Sequence, residues 1–365
     1  MILVYTHGMK KIGILNSGGD CSGLNAVIAS IVKTGTSMGY EFVGFEKGWE
    51  GLLSPMKYIE LNVDSVRGIS HLGGTILKTV NRGRFAGKSG GKNGPNSIPT
   101  EILQMAKDNL ESIGVGGLIV IGGDGTLSAA MQLNDFGVPI VGVPKTVDND
   151  LYGNDATFGF DTAVAVAVEA LDKIHTTATS HDRVFIVECM GRHAGWITLF
   201  AGLAANANMI LLPEFAVNVP EIIEFIRNRT LTRGSTIVVV SEGLDMGHQH
   251  VSVGIASSEV RVGGAAETLM HTIEELSPQE FDMRTVVLGH VQRGGSPIPS
   301  DRILAKRFGV AAIESFADGK YGQMITLHEG HVTTTPIRRA ASQLRLVEKT
   351  SAEYQTTQKL GVYVN

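Results

Sequence analysis

At 365 residues the chain exceeds what one simple core supports, and two domains are expected. Charged residues make up 18% and the formal net charge is −5 with no basic tract, which argues against nucleic acid or an anionic membrane as partner, so basic side chains must be placed locally for any anionic ligand. No apolar run approaches the roughly 20 residues that span a bilayer, residues 1–11 lack the apolar centre of a secretory signal, and Cys21 and Cys189 alone make neither a disulfide framework nor a metal cage; a cytoplasmic protein is expected.

Met9 directly precedes the first convincing strand, so Met1–Gly8 is expected to be dispensable. Lys11–Asn16 (KIGILN) reads as a short buried strand, broken by Ser17-Gly18-Gly19-Asp20 before a helix from about Gly23 to Met38. Strand, glycine turn and helix in that order expose backbone N–H groups that suit a phosphate, although a ligand-free βα turn has the same pattern. A second strand, Glu41–Phe45, leads towards Gly73-Gly74-Thr75 and a basic group of Lys78, Arg82, Arg84 and Lys88. Gly83–Pro99 is rich in Gly, Ser, Asn and Lys and is expected to be a loop.

Apolar positions Ile102, Leu103, Ala106, Leu110 and Ile113 mark a helix over about Thr100–Ile113. The strand Gly117–Ile121 then runs into Gly122-Gly123-Asp124-Gly125-Thr126. Three glycines around one aspartate let a phosphate chain lie against the backbone while the carboxylate reaches a Mg²⁺ on it. Next, the strand Val138–Val143 ends at Pro144 and delivers Thr146, Asp148 and Asp150 beyond its carboxyl end, where open α/β sheets place their chemistry. Paired carboxylates there point to acid/base or metal work, with a solvated turn as the plain alternative.

A helix over Asp161–Thr179 ends at Ser180-His181-Asp182-Arg183, and the strand Val184–Cys189 leads into Met190-Gly191-Arg192. Helix Ala194–Ala205, strand Met209–Leu212, helix Glu221–Arg229 and strand Ser235–Val240 follow, the last ending at Ser241-Glu242-Gly243. Helix Ala265–Leu276 precedes a strand over Arg284–His290, then Val291-Gln292-Arg293-Gly294-Gly295. Arg284, His290 and Arg293 are expected to converge on this strand and its exit loop, a set suited to a phosphomonoester. A helix over Asp301–Phe316 comes last, and the tail from Arg338 offers no motif. The regular β-α alternation predicts an α/β fold with mostly parallel sheets and helices on both faces.

Five stretches, SGGDCSGLNA (17–26), GGDGT (122–126), PKTVDND (144–150), MGRHAGW (190–196) and LGHVQRGGSP (288–297), closely resemble the 6-phosphofructokinase family, in family order from about Lys11 to Ala340. The resemblance implies two similar three-layer αβα domains with the active site in the cleft between them. A donor-binding domain would comprise residues 9–160 and 292–342, and a fructose 6-phosphate domain residues 161–291 and 343–365. It implies phosphoryl transfer to the 1-hydroxyl of fructose 6-phosphate, with Asp148 as base, Thr146 and Arg192 beside it, and Asp124 as the Mg²⁺ carboxylate near Asp150. Gly18, Arg82, Gly123, Gly125, Thr126 and Lys145 would bind the donor. Met190, Gly191, Arg192, Glu242, His290 and Arg293 would hold the sugar phosphate, and Arg183 and Arg284 would be lent by a neighbouring subunit, which implies a homo-oligomer, a tetramer or dimer.

The donor signature is mixed. Pyrophosphate users of the family generally carry Asp at the position of Gly125, where it fills the space of a nucleotide α-phosphate, yet Lys145 is typical of those same users. An Asp would exclude the nucleotide, whereas a Lys can coexist with it, so ATP is expected, with ADP or pyrophosphate as alternatives. Allosteric members place arginines along the first helix; Ala26–Lys33 has only Lys33, and His175 stands where another arginine is common, so that effector site is not expected. Lipid and NAD kinases share GGDGT but continue into a mostly β domain, a nicotinamide oxidoreductase would need a dinucleotide fingerprint after the first strand, and a catalytically silent sugar-phosphate sensor would have lost Asp124 or Asp148.

Overall fold

The computed structural model describes residues 11–80, 83–85, 97–247, 263–340 and 342–365. Arg82, Lys88, most of the expected loop 83–99 and the start at Met1 or Met9 lie outside the described residues. The chain forms two compact units. Residues 1–147, 151–161 and 293–344 make the first; residues 148–150, 162–292 and 345–365 make the second.

In the first unit, β1 (Lys11–Asn16) is followed by α1 (Leu24–Ser37), β2 (Glu41–Phe45), the short α2 (Trp49–Leu52) and β3 (Tyr58–Leu61). Then come α3 (Thr100–Ser112), β4 (Val115–Gly122), α4 (Asp124–Asp135) and β5 (Ile140–Pro144). Strands β1, β2, β4 and β5 are parallel, aligned as Ile12↔Gly117 and Leu118↔Ile140. They read as near-continuous apolar runs because both faces of the sheet are covered. On one face Leu15, Phe45, Leu118 and Val120 pack against Leu103, Ala106 and Leu110 of α3 and Ala130 and Leu133 of α4.

The second unit takes up α5 (Phe160–His181, from Thr162 on), β6 (Val184–Cys189), α6 (Trp196–Ala204), β7 (Met209–Leu211), α7 (Val219–Arg233), β8 (Thr236–Ser241), α8 (Ala265–Leu276) and β9 (Met283–Val287). Asn218 starts α7 by accepting from Glu221 N–H, with Pro220 in the first turn, a favoured helix opening. The chain then returns to the first unit with α9 (Pro299–Ala317), β10 (Gln323–His328), β11 (His331–Pro336) and α10 (Ile337–Ala340), and ends in the second with α11 (Ala352–Lys359) and β12 (Tyr363–Val364). The second sheet, ordered β12-β7-β8-β6-β9, is parallel throughout, and α7 and α8 bury Ile222, Ile226, Leu269 and Ile273 against Ile186, Leu211, Val238 and Val240.

The expected α/β class and mostly parallel sheets are what the chain adopts. Composition did not reveal the antiparallel edges of the first sheet, which is ordered β11-β10-β5-β4-β1-β2-β3. Polar edge strands such as β11 (HVTTTP) lack the apolar run that marks a central strand. The expected strand over Arg284–His290 ends at Val287, and Gly289–Arg293 is a 3₁₀ turn, since Gly289 has φ +50.

Candidate active site

Strand order decides where the first unit can bind a ligand. β1 is followed by β2 on one side, while β4 and β5 lie on the other, so the order reverses between β1 and β4. At such a switch point the two exit loops diverge and leave a crevice. The glycine turns after β1 and β4 flank it. Gly18 has φ +85, and a side-chain carbon there would lie 3.5 Å from both Lys145 Nζ and Thr126 Oγ1. Gly18, Thr126 and Lys145 therefore come from three strand ends to one place. Gly123 precedes α4 in extended conformation with no side chain capping the helix, and Asp124 and Gly125 occupy its first turn. An uncapped N-terminus carries partial positive charge suited to an anion.

Lys145 supplies the full charge. Only 4% exposed, it donates from Nζ to the Gly19 carbonyl, while its own N–H bonds the Gly122 carbonyl at 2.9 Å. Burial holds its ammonium below the usual lysine value, an effect opposed by Asp20 and Asp124 and reinforced by Arg293. The amides of Ser17 and Gly18, counted from sequence as phosphate donors, already bond the carbonyls of Ile121 and Val80 at 3.1 and 3.2 Å. Cys21 beside them is pushed up to about 12, chiefly by burial, and is no nucleophile. Arg293 Nη1 donates to the Asp20 carbonyl at 3.0 Å. Thr146 follows Lys145, its carbonyl accepting from Thr157 Oγ1 at 2.7 Å. Of the basic group after Gly74, Lys78 pairs with Glu46 at 2.9 Å and Arg84 with Glu50 at 3.1 Å.

The second unit gathers another set at the carboxyl ends of its neighbouring strands β8, β6 and β9. Glu242 N–H bonds the Cys189 carbonyl at 2.8 Å and Gly243 N–H the Gly191 carbonyl at 3.2 Å, tying the exit of β8 to Met190-Gly191-Arg192. Approach is so close that a side-chain carbon on Gly243 would lie 1.9 Å from the Arg192 carbonyl oxygen. Gln292, 1% exposed, accepts from Met190 N–H at 3.4 Å and donates to the Gly289 carbonyl at 3.1 Å, which sets His290 next to the same loop. Arg192 and His290 are exposed, and Glu242 is half-buried.

Asp148 and Asp150 group with this unit. Their side chains are half-buried, and Asp148 Oδ1 is shielded from solvent. Asn149 between them is 4% exposed and holds φ +52, the left-handed region that non-glycine residues seldom occupy. The backbone here is gripped by a residue that sequence reasoning missed. Arg345 N–H donates to the Asp150 carbonyl at 2.8 Å, and Arg345 Nη1 to the Asn149 carbonyl at 3.2 Å. Its guanidinium lies 4.2 Å from the centre of the Trp196 ring, and Trp196 Nε1 donates to the Arg345 carbonyl at 2.9 Å. Nothing local marks a lone arginine in SQLRLVEKT.

Arg183 and Arg284 lie elsewhere. Arg183 precedes β6, Arg284 stands near the start of β9 paired with Phe185, and both bind Asp282. Met190 is seven residues beyond Arg183 along a parallel strand, so about 20 Å separates Arg183 from the exit of β6, and Arg284, three residues before the end of β9, lies about 10 Å from its own. Arg284 lies on β9 and His290 and Arg293 in its exit turn, as expected; strand direction puts Arg284 and His290 towards opposite ends of β9, and Arg293 donates to the Asp20 carbonyl.

The first unit thus has a switch point flanked by glycine turns with a buried lysine beside them, and the second an acidic loop at 148–150. Residues 11–316 match the family model described as Phosphofructokinase. The chain belongs to the phosphofructokinase family. As a member it is an enzyme, a kinase acting on a sugar phosphate. It is 42% identical over 97% of both chains to a protein from Chloroflexus aggregans named ATP-dependent 6-phosphofructokinase. It is 44% identical, over 93% of this chain and 96% of the other, to a Streptomyces coelicolor protein named pyrophosphate–fructose 6-phosphate 1-phosphotransferase. Among solved structures it resembles phosphofructokinase from Saccharomyces cerevisiae at 31% identity and a TM-score of 0.76, covering 91% of this chain and 45% of that one.

The residues of the turn after β4 fit the metal that the family implies. Among the described residues no three His, Cys, Asp or Glu side chains cluster as a cage. Magnesium seldom needs one, because it keeps waters and arrives on substrate phosphates met by one or two carboxylates. Asp124, half-buried in the first turn of α4, is such a carboxylate. No helix among the described residues is long and apolar enough to cross a membrane.

Proposed function

We propose that this phosphofructokinase transfers the terminal phosphoryl group of ATP to the 1-hydroxyl of fructose 6-phosphate, giving fructose 1,6-bisphosphate. The observation that carries the reading is the loop after β5. Lys145, seated beside Gly18 and Thr126, stands three residues before Asp148, so covalent geometry keeps their Cα atoms within about 11 Å of each other. A donor phosphate at the switch point is thereby tied to a carboxylate able to take the hydroxyl proton. Asp148 accepts that proton while the sugar oxygen forms its bond to the γ-phosphorus, and the β,γ-bridging oxygen leaves with ADP. Thr146 and Arg192 steady the transferring group, Arg82, Gly123 and Gly125 complete the donor site, and Asp150 faces the phosphoryl side.

When bound, Mg²⁺ on the donor phosphates, met by Asp124, supplies charge neutralisation. Met190, Gly191, Glu242 and His290 hold the sugar and Arg293 its approach, with the first unit serving the donor and the second the acceptor. Arg183 and Arg284, set back along β6 and β9 from the strand exits of their own unit, serve the 6-phosphate of a neighbouring subunit, which makes the working form a homo-oligomer, a tetramer by our reading. A cytoplasmic setting accords with that role.

Lys145 favours a second reading, in which pyrophosphate is the donor: a buried cation at the phosphate turn suits a small, highly charged anion, and a relative at 44% identity carries that name. Turnover with ATP, ADP, GTP and pyrophosphate at fixed fructose 6-phosphate decides between them. ATP is expected to support the highest kcat/KM; faster turnover with pyrophosphate would replace the first reading by the second, and transfer from none of the four would remove both.

A further inference from the structure

We propose that Arg345 is the positioning residue for Asp148, an inference that rests on the reading of Asp148 as base. Four contacts place it there. Its main-chain N–H and its Nη1 bond the carbonyls of Asp150 and Asn149, consecutive residues directly after Asp148. Its guanidinium stacks on Trp196, and its carbonyl accepts from Trp196 Nε1. The side chain spans an anchor on one face and the acidic loop on the other.

The anchor is buried and hydrogen-bonded. Trp196 is 4% exposed and opens α6, so it belongs to the turn carrying Met190, Gly191 and Arg192. Glu214 fastens both sides of the stack through Oε1, which accepts from Gly195 N–H at 2.8 Å, just before Trp196, and from Val347 N–H at 2.9 Å, just after Arg345. The held loop turns at Asn149, which occupies left-handed backbone at φ +52, a conformation asparagine adopts more readily than other side-chain-bearing residues. Two carbonyls bonded to one arginine hold the peptide planes Asn149–Asp150 and Asp150–Leu151, so the chain leaving Asp148 is fixed from its next residue on and Asp148 has one hinge residue fewer about which to swing. Arginine suits the task because a planar guanidinium stacks and donates at once, whereas a lysine ammonium does only the second.

Removal of this support should lower kcat with little effect on substrate capture, since displacing a reacting group by about 1 Å can cost on the order of 100-fold. Steady-state kinetics of Arg345→Ala, Arg345→Lys, Trp196→Phe and Asp148→Asn test the proposal, together with calorimetric binding of fructose 6-phosphate. Expected for Arg345→Ala is a kcat lower by roughly 10- to 100-fold with KM for fructose 6-phosphate within about 3-fold. Arg345→Lys should stay impaired, and millimolar guanidinium ion should restore part of the kcat of Arg345→Ala but none of that of Asp148→Asn. Combining Arg345→Ala with Asp148→Asn should add no further loss. A kcat within 2-fold of the parent in Arg345→Ala while Asp148→Asn is inactive overturns this inference alone; full turnover by Asp148→Asn overturns the reading beneath it. Should Arg345→Ala fail to fold, Arg345→Lys and Trp196→Phe carry the test, and an unchanged kcat in both overturns it.

Discussion

Arg183 donates its Nε hydrogen to Asp282 Oδ2 across 2.7 Å, and Arg284 reaches the other oxygen of the same carboxylate at 2.5 Å. One exposed aspartate thus holds two arginines side by side at the start of β6 and β9, and the pair holds its carboxyl below the usual value, Arg183 foremost. Prealigned guanidinium groups lose less freedom when they close on a phosphate, a saving of about 0.5–1.5 kcal/mol per side chain. Asp282→Ala is expected to raise the KM for fructose 6-phosphate by about 3- to 10-fold and leave kcat unchanged. Arg284→Ala should raise it further. An unaltered KM in both would remove the arginine pair from the sugar-phosphate site.

Asp148→Ala tests the chemistry itself. Loss of a general base costs about 10²–10⁴-fold in kcat. Fructose 6-phosphate should still bind within about 3-fold of the parent in calorimetry. Retained turnover would rule Asp148 out as base.

Gly125→Asp should separate the donors. An aspartate in the first turn of α4 would occupy the room of a nucleotide α-phosphate and repel it, so ATP turnover should fall by roughly 100-fold or more, as a buried like-charge contact implies. Pyrophosphate turnover should suffer less. Unchanged ATP kinetics would show that the space beside Gly125 does not admit the donor.

Gly243→Ala addresses the turn that meets Arg192 and its proposed sugar-binding role. The added carbon would meet the Arg192 carbonyl oxygen at 1.9 Å, a distance that only backbone movement relieves. A fall of about 1–3 kcal/mol in stability, together with a raised KM for fructose 6-phosphate, is expected in chemical denaturation and kinetics. A variant with parental stability and KM would mean that the turn yields without consequence.

Glu214 makes the fold sensitive to pH. Burial raises its carboxyl above the ordinary 4.5, only partly opposed by the bonds from Val347 and Gly195. The folded state therefore holds that proton more tightly than the unfolded chain, so the contribution is complete below about pH 4.5 and fades as pH rises through the raised value. Glu214→Gln keeps an acceptor for both amides and carries no charge. Thermal melts from pH 5 to pH 8 should show the variant gaining on the parent as pH rises; a gap independent of pH would sink the argument.

The residue order by itself determined the α/β class, the strands that end in chemistry and the local glycine turns, because these depend on apolar periodicity and on contacts within a few residues. Val184–Cys189 and Ala265–Leu276 were legible to the residue for that reason. Tertiary structure alone decided which turns meet. Strand order brings Gly18, Thr126 and Lys145 together, and strand direction sends Arg284 away from His290 although only six residues separate them. Arg345 shows the same limit most plainly: it touches Asn149 and Asp150 nearly two hundred positions away, through a fold that buries Trp196 against the tail. Such contacts arise from how layers pack and leave no periodic mark along the chain.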